Sequence, residues 1–280
     1  MKTPKRLQML VTEGLVDEVV RQLMSGKEAT VYMVRCGEEI RCAKVYKDTK
    51  QRSFRNNASY QEGRKVKNSR QARAMEKGTR YGRQMQEEAW QSAEVDALYR
   101  LAAAGVSVPK PYICYEGVLL MELVTDTEGN PAPRLNDIEL SAEQSLKLYA
   151  GLINQVVRML CAGIIHGDLS EYNILVGSDG PVIIDLPQAV DAAGNSNAAS
   201  MLERDVANLT SYFSRFSPQL ASLQYGKEIW RLYLAGQLTP DTELTGHIEA
   251  DHRIADVAAV LEEVKLALIE EERRKLYQAG

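Results

Sequence analysis

The sequence predicts an α+β protein of two lobes, a small β-rich lobe over residues 1–122 with one main helix and a mostly helical lobe over residues 123–280. Three observations lead there. Short runs rich in β-branched residues crowd the first half, a long capped amphipathic run follows a proline-containing stretch near the middle, and helical periodicity dominates from Ala198 onward.

Taken in order, Leu7, Leu10 and Val11 precede VDEVVRQL, which predicts a short helix leading into a strand. Ser25-Gly26 is the first turn signal. Ala29–Arg35 and Glu39–Lys47, split by Cys36-Gly37-Glu38, then form a hairpin. From Gln84 to Ala104 the pattern is helical, with Trp90, Val95, Leu98 and Leu101 on one face and Gly105 placed to end it. Tyr112–Val124 reads as two strands about Glu116-Gly117, and DTEGNPAPRL as a linker between the lobes. Ser141 with Gln144 three residues later is a capping-box signature. Leu146, Tyr149, Leu152, Ile153, Val156, Val157 and Leu160 follow as a broad apolar stripe ending near Gly163. Apolar runs around Ile164 and Ile174 and at Val182–Asp185 flank polar residues, and three helical stretches close the chain.

With 280 residues the chain is long enough to bury a core. The opening MKTPKRLQML lacks the apolar run of a signal peptide, and no stretch approaches the roughly 20 apolar residues that span a bilayer. A soluble, cytoplasmic protein without membrane association is expected. Cys36, Cys42, Cys114 and Cys161 form no C-x-x-C pair, so neither a zinc site nor a disulfide framework is indicated, and all four are expected to be buried small hydrophobes. The net charge of -4 conceals an asymmetry, because residues 47–86 carry twelve Lys or Arg against three acids. This basic stretch, a flexible insert over about 48–83, is either a solvated loop or a contact for phosphate, RNA or an acidic partner.

Chemistry concentrates in Ile164–Val176, where Asp168 stands five residues before Asn173, and in Asp185, twelve residues further on. Phosphoryl transfer asks little covalent work of a protein; it needs an acceptor oxygen held in line and cations to neutralise phosphate charge. Asp168 can take the acceptor's proton, and the Asn173 amide and Asp185 carboxylate offer hard oxygens to magnesium or manganese. Lys44, in an otherwise apolar strand, suits the phosphates, and Glu94, on a helix it shares with Glu87 and Glu88, suits an ion pair with that lysine.

These residues, together with SGKEATVY (Ser25–Tyr32), WQSAEVDALYRL (Trp90–Leu101), MELV (Met121–Val124), HGDLSEYN (His166–Asn173) and IDLPQAV (Ile184–Val190), resemble the RIO family of atypical protein kinases, most closely its type-one branch. The resemblance covers about residues 10–215. It implies a two-lobed protein-kinase-like fold, ATP with Mg2+ or Mn2+ as cofactors, and Ser/Thr protein kinase activity with autophosphorylation or ATP hydrolysis. SFRNNASYQEGR (Ser53–Arg64) resembles the loop this branch inserts between the Lys strand and the Glu helix. MELV would join the lobes, with Glu122 and Val124 backbone groups on the adenine edge and Met121 beside the pocket.

Departures from ordinary protein kinases bound what carries over. Only Gly26 remains of a glycine-rich loop, so Ser25, the local backbone and Lys27 would contact phosphate. Glu28 and Arg21 rule out a P-loop. Gly167 replaces the Arg of H-R-D, Leu186-Pro187 follows Asp185, and no A-P-E occurs, which implies a reduced second lobe without a peptide-docking segment. His166 is read as a loop brace and not as a base. The self is the expected protein substrate, with Ser53, Ser59 and Ser69 as acceptors. Two other functions stay open: a small-molecule kinase resembling aminoglycoside and choline phosphotransferases, and an ATP-gated module binding RNA or ribosomal particles through the basic insert.

Overall fold

The computed structural model describes residues 4–47 and 93–247. Helix α1 (Lys5–Thr12) buries Leu7 and Leu10 completely, a placement worth about 1.5–3 kcal/mol for each side chain. Those two leucines, with Val16, pack on Tyr32, Val34, Ala43, Val45, Val118 and Leu120, so α1 covers one face of the sheet that follows.

That sheet comprises β1 (Glu18–Ser25), β2 (Ala29–Cys36), β3 (Glu39–Tyr46), β4 (Pro111–Tyr115) and β5 (Val118–Glu122). Its order is β1-β2-β3-β5-β4, and every pairing is antiparallel. The predicted β2–β3 hairpin closes with Cys36 opposite Glu39. At the predicted β4–β5 turn, Glu116 and Gly117 both take positive φ, 48° and 72°, which matches the twist of the strands it joins.

Residues 93–103 form helix α2, with Leu98 and Leu101 buried and Gly105 at φ 71° ending it as expected. Trp90, the earlier part of the predicted helix, and the basic insert with SFRNNASYQEGR and Ser53, Ser59 and Ser69 lie outside the described residues. The DTEGNPAPRL stretch, expected to link the lobes, forms a tight loop. Thr125 bridges Pro131, and the Asp126 carboxylate accepts from the Glu128 and Asn130 N–H groups, so one side chain organises the reversal.

Helix α3 (Ala142–Cys161) begins with the expected capping box: Gln144 N–H donates to Ser141 Oγ at 3.2 Å, and Ser141 N–H to Gln144 Oε1 at 2.9 Å. Its stripe is buried from Tyr149 to Leu160, except that Leu146 is 38 % exposed and Ser145 and Met159 lie inside. Two short ribbons follow, β6 (Ile164–Ile165) with β9 (Val190–Asp191) and β7 (Ile174–Gly177) with β8 (Gly180–Ile183). Helices α4 (Ala198–Phe213) and α5 (Tyr225–Leu234) come next, and the third terminal stretch lies outside the described residues.

One apolar cluster runs from Ala29, Tyr46 and Leu119 through α2 into α3, α4 and α5. The cysteine expectation is corrected in part. Cys42 is buried and its thiol is pushed up to about 12 by that burial, but Cys36 is half-buried and Cys114 and Cys161 are exposed. The physical reason is position, since Cys114 sits on the edge strand β4 and Cys161 on the last residue of α3. Among the described residues no helix is long and apolar enough to cross a membrane.

Candidate active site

Strand β3 carries Lys44 toward the C-terminal part, and α2 presents Glu94 to it. Lys44 Nζ donates to Glu94 Oε1 at 2.5 Å and to Asp185 Oδ1 at 2.8 Å. Burial works against the ammonium charge, but the two carboxylates outweigh it and hold the Lys44 pKa above its ordinary value. Glu94 is only 4 % exposed and needs a second partner, which the Tyr46 hydroxyl supplies to Oε2 at 2.7 Å. Sequence reasoning missed Tyr46, although alternation along β3 puts it on the same face as Lys44. Replacing Tyr46 by Phe leaves that carboxylate oxygen without its hydroxyl and is expected to lower stability by about 1–2 kcal/mol in chemical denaturation.

Asp185 follows β8, which ends two residues earlier, at Ile183. Ile184 N–H donates to the Asn173 carbonyl at 3.0 Å and Ile174 pairs with Ile183, so the β7–β8 ribbon brings Asn173 and Asp185 to one end. Asp185 has φ 68°, a conformation that costs a non-glycine residue roughly 1–3 kcal/mol and that gathers at functional sites. Burial pushes its carboxyl up, but the Lys44 ammonium outweighs this and leaves it below the ordinary carboxylate value.

Asp168 is exposed on the loop between β6 and β7. Its carbonyl accepts from Asn173 Nδ2 at 2.9 Å, which turns the amide so that Oδ1 is directed elsewhere, and its Oδ2 accepts from Gln188 Nε2 at 3.2 Å. Partial desolvation raises its carboxyl above the usual value, with Arg204 opposing and Asp185 adding.

The loop is held from beneath. His166 is buried, lies 3.0 Å through Nε2 from the Ile184 carbonyl and accepts from Asp168 N–H through Nδ1 at 3.3 Å, so it braces the loop as expected. Gly167 has φ 81°, where an arginine would be strained, which gives a backbone reason for the departure from H-R-D. Its N–H donates to Asp205 Oδ2 at 2.8 Å, Leu169 N–H donates to Oδ1 at 3.0 Å, and Arg204 donates to the Gly167 carbonyl. Asn208 Nδ2 adds a bond to the Leu169 carbonyl at 3.0 Å. Sequence reasoning missed these three α4 residues. The available signal was Asp205 itself, a carboxylate inside the buried stripe of Met201, Leu202, Val206 and Leu209.

The remaining predicted residues divide. Ser25 ends β1 and Gly26 begins the turn, where Lys47 Nζ donates to Gly26 O at 2.6 Å and to Ser25 Oγ at 3.2 Å. Lys27 is exposed and has no hydrogen bond or ion pair with the described residues, so the cation holding this turn is Lys47, which the sequence reading did not single out. Met121 and Glu122 end β5, where Glu122 exchanges backbone and carboxylate contacts with Lys110. The Val124 carbonyl accepts from Ala132 N–H, and among the described residues the Val124 N–H has no partner.

A family model described as the RIO domain matches residues 30–225. The chain belongs to the RIO family. It is similar to the serine/threonine-protein kinase rio1 of Schizosaccharomyces pombe, at 30 % identity over 79 % of this chain and 43 % of that protein. It is similar also to the RIO-type serine/threonine-protein kinase Rio1 of Haloferax volcanii, at 34 % identity over 74 % of this chain and 67 % of that one. The counterpart in Methanocaldococcus jannaschii is 32 % identical over 76 % and 69 %. The match thus spans less than half of the fission yeast relative and about two thirds of the archaeal ones. The RIO domain so delimited contains Lys44, Glu94, Asp168, Asn173, Asp185 and the Asp205 brace, and begins after the Ser25–Lys27 turn.

Proposed function

We propose that this chain transfers the terminal phosphate of ATP to serine or threonine hydroxyls, its own included. The observation that carries the reading is Lys44 Nζ bonded at once to Glu94 and Asp185, with Asp168 and Asn173 at the adjoining ribbon. An ammonium fixed between two carboxylates is a pre-oriented phosphate ligand, and fixing it beforehand lowers the cost of ordering on binding.

The donor set fits a small hard cation. Magnesium is usually held by one or two carboxylates plus substrate phosphates, and Asp185 with Asn173 Oδ1 supplies oxygens of that kind. When bound, such an ion would neutralise phosphate charge. Asp168 would accept the acceptor's proton, and its raised pKa moves it toward the range in which a base works near neutral pH. The Val124 N–H supports adenine pairing on the other side. Ser170, Glu171, Asn208, Ser211, Tyr212 and Arg215 line an open hollow of about 320 Å³ beside the Asp168 loop, which offers an approach for the acceptor.

Mass spectrometry after incubation with ATP and magnesium tests this reading. Phosphate is expected on serine or threonine, with Ser53, Ser59 and Ser69 as candidates, and Asp168→Ala should slow labelling by at least about a hundredfold. An unlabelled wild type, or equal labelling in the variant, removes the proposal; release of ADP without labelling would assign the turnover to water as acceptor.

A further inference from the structure

Arg134 has no part in the chemistry described so far, yet it is held firmly at the edge of the same cleft. Its backbone bridges Leu175, the Pro133 carbonyl before it accepts from Val176 N–H at 2.9 Å, and Leu135 after it is fully buried. The Leu135 carbonyl accepts from the Tyr212 hydroxyl at 2.8 Å, which ties the segment to α4. From this anchored position the half-buried side chain reaches the N-terminal sheet, where Nη2 donates to Met24 Sδ at 2.8 Å. Met24 immediately precedes Ser25-Gly26-Lys27.

The pairing is chemically lopsided. A guanidinium presents five donors in a fork suited to phosphate or carboxylate, whereas a thioether sulfur is a weak acceptor. Among the described residues the Met24 sulfur is the one hydrogen-bond partner of this side chain. The segment is thus paired two residues beyond Asn173, and its cation stands beside the Ser25–Lys27 turn while making only a weak bond.

We propose that Arg134 is a further nucleotide-positioning residue, which exchanges the Met24 thioether for a phosphate oxygen of the bound nucleotide. The inference rests on the nucleotide-binding reading above and adds a ligand to it beside the Ser25–Lys27 turn. Exchanging a weak neutral acceptor for a charged one gives up little and gains a charge-assisted bond. Because Met24 belongs to β1 and Arg134 to the segment that leads into Leu135, the exchange also frees the Ser25–Lys27 turn from that segment.

Calorimetric titration of the full chain with ATP, ADP and adenosine tests the assignment. In Arg134→Gln, ATP and ADP are expected to bind about tenfold or more weakly, while adenosine binds as it does to wild type. Met24→Leu, which removes the sulfur and keeps the bulk, should bind ATP at least as tightly as wild type. Unchanged ATP affinity in Arg134→Gln overturns the inference, and so does an equal loss for adenosine, which would mean a role in pocket shape alone. A loss in Met24→Leu equal to that in Arg134→Gln overturns it too, by making the clasp itself the important contact. A wild type that binds no ATP sinks the parent reading along with this one, whereas a wild type that binds and an Arg134→Gln variant that binds equally sink only this one.

Discussion

Asp185→Asn is expected to slow phosphate transfer by at least about a hundredfold while leaving a folded protein. The carboxylate is proposed to hold the cation, and it also takes one of the two bonds from Lys44. An amide of the same shape keeps a single oxygen and no charge. The companion variant Asp185→Gly separates chemistry from strain. Glycine accepts φ 68° without penalty, so this variant should be equally inactive yet gain about 1 kcal/mol in stability relative to Asp185→Ala. Rates measured by phosphate incorporation and stabilities by denaturant titration check both halves. An Asp185→Asn protein transferring phosphate at the wild-type rate would remove Asp185 from the machinery.

The second large effect concerns stability. Asp205→Ala strips the acceptor from two buried backbone N–H groups, of Gly167 and Leu169, on either side of Asp168. At about 1–3 kcal/mol for each orphaned donor, the expected loss is about 2–6 kcal/mol. Burial pushes the Asp205 carboxyl up to about 7, against the pull of those two N–H groups and of Arg204. The folded protein then binds this proton more tightly than the unfolded chain, whose carboxyl titrates near 3.9, so the contribution is fullest at low pH and falls as pH rises through about 4 to 7. The stability gap between wild type and Asp205→Ala should narrow over that window. Denaturant titrations at several pH values measure it, and a gap that is absent or widens toward neutral pH would contradict the account.

The parts of this molecule that the sequence disclosed are those written locally. The β2–β3 hairpin, the Glu116-Gly117 turn and the Ser141–Gln144 box each depend on neighbours within a few positions. Lys44 and Asp168 were legible because a charge in an apolar run has few structural reasons to be there. Tyr46, Asp205 and Lys47 were not, because their importance is a contact made far along the chain: Tyr46 meets Glu94 and Asp205 meets Gly167 only after folding. Leu146 shows the limit of periodicity, which finds the centre of a helix stripe better than its margin. The exposed Cys114 has a similar cause, since alternation along a strand says nothing about which strand ends the sheet.

The Gly167 peptide unit, gripped at its N–H by Asp205 and at its carbonyl by Arg204, has a consequence for control. Both grips come from one helix that is part of the core, so the stance of the neighbouring aspartate is inherited with the fold and not conferred by a later covalent mark.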